Sequence, residues 1–220
     1  MKIDKINIYK VILPFQIDFF HALNQASSAN NIVVEILADN GRIRGYGECA
    51  PRPYVTGETQ DSVCERIVDF LERNSFPWVL NSVSEIWSFI DSLPSDKRYN
   101  ASVCAIEMSL LDLLGKYNEE PIIEYFPKDF RADTIYYGAP IPMADKNRIL
   151  EICRFIKKMK IQKLKLKMGK DFIKNKETLE TVDLVLGDDR DLKIDINGVW
   201  DLELAIKHTA LIKQHNVRIV

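Results

Sequence analysis

The sequence predicts an α+β domain at the N-terminus, followed by the first part of a (β/α) barrel. Two observations support this fold class. Residues 1–125 show strand patterns first and helix patterns afterwards, whereas residues 126–220 alternate between the two. Strands followed by helices are typical of an α+β domain, and regular alternation is typical of a parallel sheet with helical connections. We therefore expect two domains, 1–125 and 126–220, the second holding three to four β/α units.

The N-terminal domain begins with an antiparallel sheet. Residues 3–13 alternate apolar and polar side chains, as a half-buried strand does. The run NIVVEILADNGRIRGYGE at 31–48 predicts a hairpin, because Asp39-Asn40-Gly41 is a turn sequence between two alternating stretches. Apolar residues then recur at helical spacing, which predicts helices at 58–73, 82–92 and 99–117.

The C-terminal domain is predicted to be a parallel sheet. Strand patterns occur at 133–138, 161–168, 191–197 and 217–220, with helix patterns between them at 144–160, 171–186 and 201–215. Such a sheet is either doubly wound or part of a (β/α)8 barrel. Neither GxGxxG nor GxxxxGK[ST] is present, so the nucleotide-binding folds lose their main signature and the barrel is favoured.

Composition excludes several classes of partner. The 220 residues include 30 basic and 32 acidic side chains, so no overall charge favours nucleic acid or a membrane surface. The N-terminal run MKIDKINIYKVILPF carries charges throughout, unlike a signal peptide or a membrane span. The four cysteines form no CxxC pair, which predicts free thiols. We expect a cytoplasmic protein without nucleic-acid or membrane partners.

The stretch IQKLKLKMGKD at 161–171 contains the main candidate for chemistry. Lys163, Lys165 and Lys167 point to one face of a predicted strand whose other face is apolar. A buried parallel strand is normally apolar on both faces. In barrels the active site lies at the C-terminal ends of the strands, and Lys165 and Lys167 lie near such an end. The next strand, in DLKIDINGVWD, places Asp195 and Asn197 in the corresponding position.

Two interpretations fit these residues. A carboxylate at a strand end suits Mg²⁺, and a lysine beside another lysine has its ammonium form disfavoured, which suits a base that removes a proton next to a carboxylate. The alternative is an exposed basic strand face, with Asp195 capping a turn. Glu107 and Asp112 on the helix at 99–117 are also candidate catalytic carboxylates. The alternative is that they form a salt bridge or lie on a solvated helix edge.

Four stretches together resemble the muconate lactonizing enzyme subgroup of the enolase superfamily. They are GYGECAPRPYVTGET at 45–59, ASVCAIEMSLLDLLGK at 101–116, the KxK of KLKLKMG, and the DxNxxW of DINGVWD. The resemblance implies an α+β capping domain on a TIM-type barrel and a small-molecule carboxylate substrate. It also implies that Lys167 is the acid/base, that Lys165 tunes it and contacts the substrate carboxylate, and that Asp195 is the first of three Mg²⁺ ligands. Asn197 would support the site and bind substrate. Trp200 would pack.

The resemblance further implies that the capping domain selects the substrate through two lid loops, roughly 16–30 and 51–59. His21, Arg52 and Tyr54 are then candidate contacts for the distal end of the substrate. The VTGET run is similar to the second lid loop of dipeptide epimerases. The first lid loop contains no arginine or lysine, and its Phe19-Phe20 pair favours a more apolar partner than a glutamate side chain. Epimerisation or racemisation of a dipeptide or an N-acyl amino acid is the preferred expectation, and o-succinylbenzoate synthesis and cycloisomerisation remain open.

By the same resemblance, the sequence stops inside the fourth barrel strand. The remaining metal ligands and the opposing lysine of the family would follow that point. We therefore expect these 220 residues alone to be inactive, and to form homo-oligomers through the open sheet. The alternative is a non-catalytic remnant that acts as a partner-binding module.

Overall fold

The computed structural model describes residues 1–127, 129 and 134–220, apart from residues 22–23, and describes only the backbone of 16–21 and 24–26. The chain divides into two compact units, Met1–Arg131 and Ala132–Val220. The functional domain limits expected from the sequence, 1–125 and 126–220, remain a prediction. No helix in the described part of the chain is long and apolar enough to cross a bilayer.

The first unit contains a three-stranded antiparallel sheet in the order β1-β2-β3. Its strands are β1 (Ile3–His21), β2 (Asn24–Ala38) and β3 (Ile43–Cys49). The predicted hairpin is present, and Asp39, Asn40 and Gly41 all adopt positive φ in its turn. Such a backbone favours glycine and asparagine, which explains why this tripeptide makes the turn.

The first lid segment differs from the expectation of a loop over 16–30. There β1 and β2 continue as a paired hairpin, with Phe19 opposite Ala26 and His21 opposite Asn24. The register shifts between Pro14 and Phe19, which marks an irregularity in the ladder. The alternation of apolar and polar residues over 3–13 therefore covers only the first part of β1, because pairing with β2 extends the strand.

Three helices form the core of this unit together with the sheet, close to the predicted positions: α1 (Gln60–Leu71), α2 (Val83–Asp91) and α3 (Asn100–Asn118). Glu58 of the VTGET run is fully buried. Its carboxylate accepts hydrogen bonds from Ala101 N at 2.9 Å and from Ser102 N at 3.2 Å, at the first turn of α3. The next residue, Thr59, caps α1 by accepting a bond from Ser62 N. These two residues of the motif thus join the second lid segment to two helices.

The second unit is a four-stranded parallel sheet in the order β4-β5-β6-β7. Its strands are β4 (Gly138–Ile141), β5 (Lys163–Lys167), β6 (Asp191–Asp195) and β7 (Val217–Ile219), connected by α4 (Lys146–Lys158), α5 (Phe172–Leu186) and α6 (Leu202–Gln214). This is the architecture of the first part of a (β/α) barrel, as the sequence predicted.

The prediction of the first barrel strand at 133–138 was wrong in position. Residue 133 lies outside the described residues, and Ile135, Tyr136 and Tyr137 are 73–81% exposed without strand structure. The pairing with β5 instead begins at Gly138 opposite Lys163 and includes the buried Ala139 and Ile141. The prediction followed the apolar run at 135–137, but burial against the helices determines where the strand lies.

Candidate active site

The lysine face of β5 is the base of the candidate site. Lys163 and Lys165 are exposed and Lys167 is half-buried, whereas the side chains that alternate with them are at most 2% exposed and belong to the core of this unit. Those core side chains are Leu164, Leu166 and Met168. Hydrophobic burial of one face therefore fixes the direction of all three lysines. Lys163, at the start of the strand, lies over the ring of Tyr136, with Nζ 5.2 Å from its centre.

Asp195 lies beside these lysines at the C-terminal end of β6. Its Cα is paired with that of Lys167, and its Oδ2 is 2.8 Å from Nζ of Lys165. The hydrogen bond from Lys165 lowers the pKa of the Asp195 carboxyl, and the backbone N–H of Asn197 adds to this by donating to Oδ1 at 3.0 Å. Asp195 thus caps a turn and also faces the lysine pair, so the two interpretations of this residue are not exclusive.

Asn197 and Gly198 turn the chain sharply after β6. Their φ angles are 49° and 69°, in the left-handed region that Asn and Gly adopt at least cost. This turn directs the backbone N–H of Asn197 towards Asp195. Asn197 therefore supports the carboxylate through its main chain; the expected role of its side chain towards substrate remains a prediction.

The sequence interpretation missed Lys193. It is exposed on β6, is paired in register with Lys165, and alternates with the buried Leu192 and Ile194. The same period of two that identified the β5 lysines also identifies Lys193. The face therefore carries four lysines on two strands, and Lys165 forms an ion pair with Asp195.

A cavity of about 650 Å³ lies at the same edge of the sheet. Lys167 and Gly169 contribute to its wall, together with Met143 after β4 and the first turns of α4 and α5. Asp145 and Asp171 cap these two helices by accepting backbone hydrogen bonds. The cavity thus borders the end of the strand that carries Lys167.

The proposed distal contacts belong to the first unit. The carbonyl of Arg52 accepts hydrogen bonds from Val55 N and Thr56 N, both at 2.9 Å, in the turn after β3. Tyr54, in the same turn, is 37% exposed. The side chain of His21 lies outside the described residues. The expected contacts of all three with substrate stay a prediction.

The two candidate carboxylates of α3, Asp112 and Glu107, lie in different surroundings. Asp112 Oδ2 accepts from Tyr46 N at 2.7 Å and lies 2.6 Å from Lys116 Nζ. It therefore forms a salt bridge within α3 and bonds the backbone of β3. Glu107 is half-buried in α3, and burial raises the pKa of its carboxyl.

The donors at the candidate site match Mg²⁺ in kind but not in number. Mg²⁺ prefers oxygen ligands, and Asp195 offers a carboxylate at a strand end. Within the described residues, no three His, Cys, Asp or Glu side chains gather in a group that could hold a metal ion. These residues therefore supply one metal ligand and not a complete metal site.

Sequence comparison finds relatives along nearly the whole chain, although no protein-family model matches it. The D-Ala-D/L-Ala epimerase of Cytophaga hutchinsonii is 26% identical over 223 residues, covering 99% of this chain and 58% of that protein. The N-succinyl-L-Arg/Lys racemase of Bacillus cereus is 24% identical over 204 residues, covering 91% of this chain and 53% of the relative. The chain thus spans somewhat over half the length of these curated relatives.

Solved structures show the same fold. A mandelate racemase/muconate lactonizing protein from Herpetosiphon aurantiacus superposes with a TM-score of 0.81 at 23% identity, over 100% of this chain and 60% of the other. The dipeptide epimerase of Cytophaga hutchinsonii, solved with Mg and the dipeptide D-Ala-L-Val, superposes with a TM-score of 0.79 at 23% identity, over 99% and 58%. The homologues of this chain are thus epimerases and racemases, and it shares its fold with mandelate racemase/muconate lactonizing enzymes.

Proposed function

We propose that this chain carries the lysine side of an epimerase or racemase site, which removes the α-proton of a small carboxylate substrate such as a dipeptide or an N-acyl amino acid. One observation carries the proposal. Lys165 and Lys167 share a strand face with Asp195 directly beside them, at the edge of the sheet where (β/α) enzymes bind substrates. The epimerase and racemase activities of the relatives support the same reaction class.

In this proposal the neutral amine of Lys167 accepts the α-proton of the substrate. The ammonium of Lys165 lies two residues away on the same face, held by Asp195, and attracts the substrate carboxylate. Mg²⁺, with which several related epimerases were solved, would supply positive charge for the developing enolate, and Asp195 would be one of its ligands. Return of a solvent-derived proton from Lys167 to the same face regenerates the substrate with its α-hydrogen exchanged.

Hydrogen exchange therefore tests Lys167 without requiring a completed epimerisation. The protein purified from its native source is incubated with Mg²⁺ in deuterated water, and loss of the α-proton signal is followed by NMR for a panel of dipeptides and N-acyl amino acids. We expect Lys167→Ala to reduce exchange by about 100-fold or more, the usual range for loss of a general base.

Lys163→Ala is the matched control, because Lys163 lies on the same strand face but at the opposite end of β5. It should retain exchange. Undiminished exchange in Lys167→Ala would refute the proposed base, and no exchange with any substrate in the panel would contradict the proposed reaction class.

A further inference from the structure

The carbonyl oxygen of Gly169 is held by two side chains from different parts of the second unit. Asn175 Nδ2, on α5, and Trp200 Nε1, in the segment between β6 and α6, each donate to it at 2.8 Å. Gly169 lies two residues after Lys167, where the chain leaves β5. A single backbone acceptor thus ties the end of the lysine strand to a helix and to the segment that follows Asp195.

Asn175 is itself fixed by a buried histidine. It is 5% exposed, and its Nδ2 also contacts Nε2 of the fully buried His208 at 3.0 Å. Because an amide nitrogen only donates, Nε2 of His208 must accept, which places the ring hydrogen on Nδ1. Nδ1 then donates to the carbonyl of Leu204 at 2.7 Å. The side-chain nitrogens of Asn175, His208 and Trp200 therefore all have partners.

Aromatic packing holds the same histidine in place. The Trp200 ring stacks on His208 with centroids 4.0 Å apart and planes 22° apart, and Phe172 meets it edge-on at 4.9 Å. Trp200 therefore contacts His208 with its face and bonds Gly169 with its N–H. A buried polar network of this kind favours one geometry strongly, because any lost bond leaves a buried polar atom unsatisfied.

We propose that Asn175, His208 and Trp200 form a positioning unit, here called the Gly169 clasp. This unit fixes the orientation of Lys167 at the C-terminal end of β5. This inference rests on the proposed function for its catalytic meaning. Two further contacts support it. Met168 N donates to the carbonyl of Asp195 at 3.1 Å, so the two strand ends are joined directly. The sulfur of Met143 would lie 3.2 Å from a Cβ on Gly169, so this backbone is also closely packed.

The clasp is tested first on the 220-residue chain, by labelling and not by activity. Acetic anhydride modifies lysine amines, and peptide mass spectrometry gives the labelling rate of Lys167 relative to Lys163 in the same molecule. Trp200→Phe keeps the aromatic ring but removes the hydrogen bond to Gly169, and Asn175→Leu removes the other donor. We expect both variants to raise the Lys167 to Lys163 ratio several-fold.

Thr209→Ala is the matched control, since Thr209 neighbours His208 on α6 but is exposed. It should leave the ratio unchanged. Circular dichroism verifies that each variant is folded; if Asn175→Leu is unfolded, Trp200→Phe decides. An unchanged ratio in folded Trp200→Phe would overturn the proposal.

The second readout uses protein from the native source in the exchange assay. A displaced base should lower kcat by about 10-fold or more, as small misplacements of catalytic groups do, with KM changed little. If Trp200→Phe and Asn175→Leu lower the stability of the protein equally but leave kcat unchanged, the clasp is only structural. If the proposed function is wrong, exchange survives in Lys167→Ala. The labelling result then still tests the clasp.

Discussion

Glu35 shows how one side chain organises the exposed face of the first sheet. Its Oε2 accepts hydrogen bonds from Asn7 Nδ2 at 2.9 Å and from the Tyr9 hydroxyl at 2.8 Å. Its Oε1 accepts from the Tyr46 hydroxyl at 2.9 Å and from Arg44 at 3.2 Å. The bond from Asn7 has the largest effect, and together these bonds lower the pKa of the Glu35 carboxyl to about 2. The ionised carboxylate therefore links all three strands.

This pKa predicts a pH-dependent contribution to stability. The folded-state pKa of Glu35 lies below its unfolded value of about 4.3, so the contribution is present above that value and is lost as the pH falls towards 2. We expect Glu35→Gln to lower the free energy of unfolding near neutral pH, and the difference from the unmodified chain to shrink on acidification. Urea unfolding at a series of pH values measures this. The exposed Glu72→Gln is the control; a difference that is independent of pH would contradict the assignment.

At the scale of elements, β3 and α3 lie very close together in the first unit. A Cβ on Gly47 would lie 1.9 Å from the carbonyl oxygen of Ala105, and one on Gly45 would lie 2.3 Å from that of Ser109. Both obstacles are helix backbone, which cannot rotate away. The GYGE stretch and the helix at 101–116, two of the four family motifs, are therefore the two sides of one packing contact.

Gly47→Ala should consequently destabilise the first unit. We expect a loss of about 1–3 kcal/mol in the free energy of unfolding, the usual cost of overpacking a close contact. Chemical denaturation followed by circular dichroism gives the value. Arg42→Ala in the exposed hairpin turn is the control and should change stability little. A Gly47→Ala chain as stable as the control would show that α3 can shift away from β3.

At the scale of the whole molecule, the described residues place one metal ligand on the lysine face. The family resemblance implies three protein ligands for Mg²⁺, and the described residues supply only Asp195, so they should hold the ion poorly. We therefore predict that the 220-residue chain alone shows no Mg²⁺-dependent α-proton exchange. The same NMR assay measures it, with a related epimerase as the positive control. Exchange by the chain alone that disappears in Lys167→Ala would contradict this prediction.

The surface of the second unit predicts self-association of this chain. Leu184, Leu202 and Ile206 are 64–77% exposed on α5 and α6, and among the described strands β4 and β7 are each paired on one side only. Exposed apolar side chains and unpaired strand edges both favour association. Sedimentation velocity should show oligomers that increase with concentration, and Leu202→Glu with Ile206→Glu should reduce them. A monomer at all concentrations would disprove the proposed homo-oligomer.

The local pattern of the sequence determined much of this protein. Alternation placed Lys163, Lys165 and Lys167 on one strand face, Asp39-Asn40-Gly41 located a hairpin turn, and helical spacing located the helices to within a few residues. These features depend on neighbours along the chain, because each follows from backbone geometry and from burial of one face. The candidate site residues on β5 and β6 could be placed on one sheet face for the same reason.

Only the tertiary structure decided what depends on distant partners. Pairing with β2 extends β1 through the predicted lid loop, and burial moves the first barrel strand to Gly138–Ile141. Glu58 lies within the predicted second lid loop, but its carboxylate accepts backbone hydrogen bonds at the start of α3. Asn175 and His208 carried no local signal, although Asn175 bonds Gly169 after the end of β5 and contacts His208. A buried hydrogen bond between residues far apart in the chain leaves no periodic trace, so its partners emerge only when the elements pack.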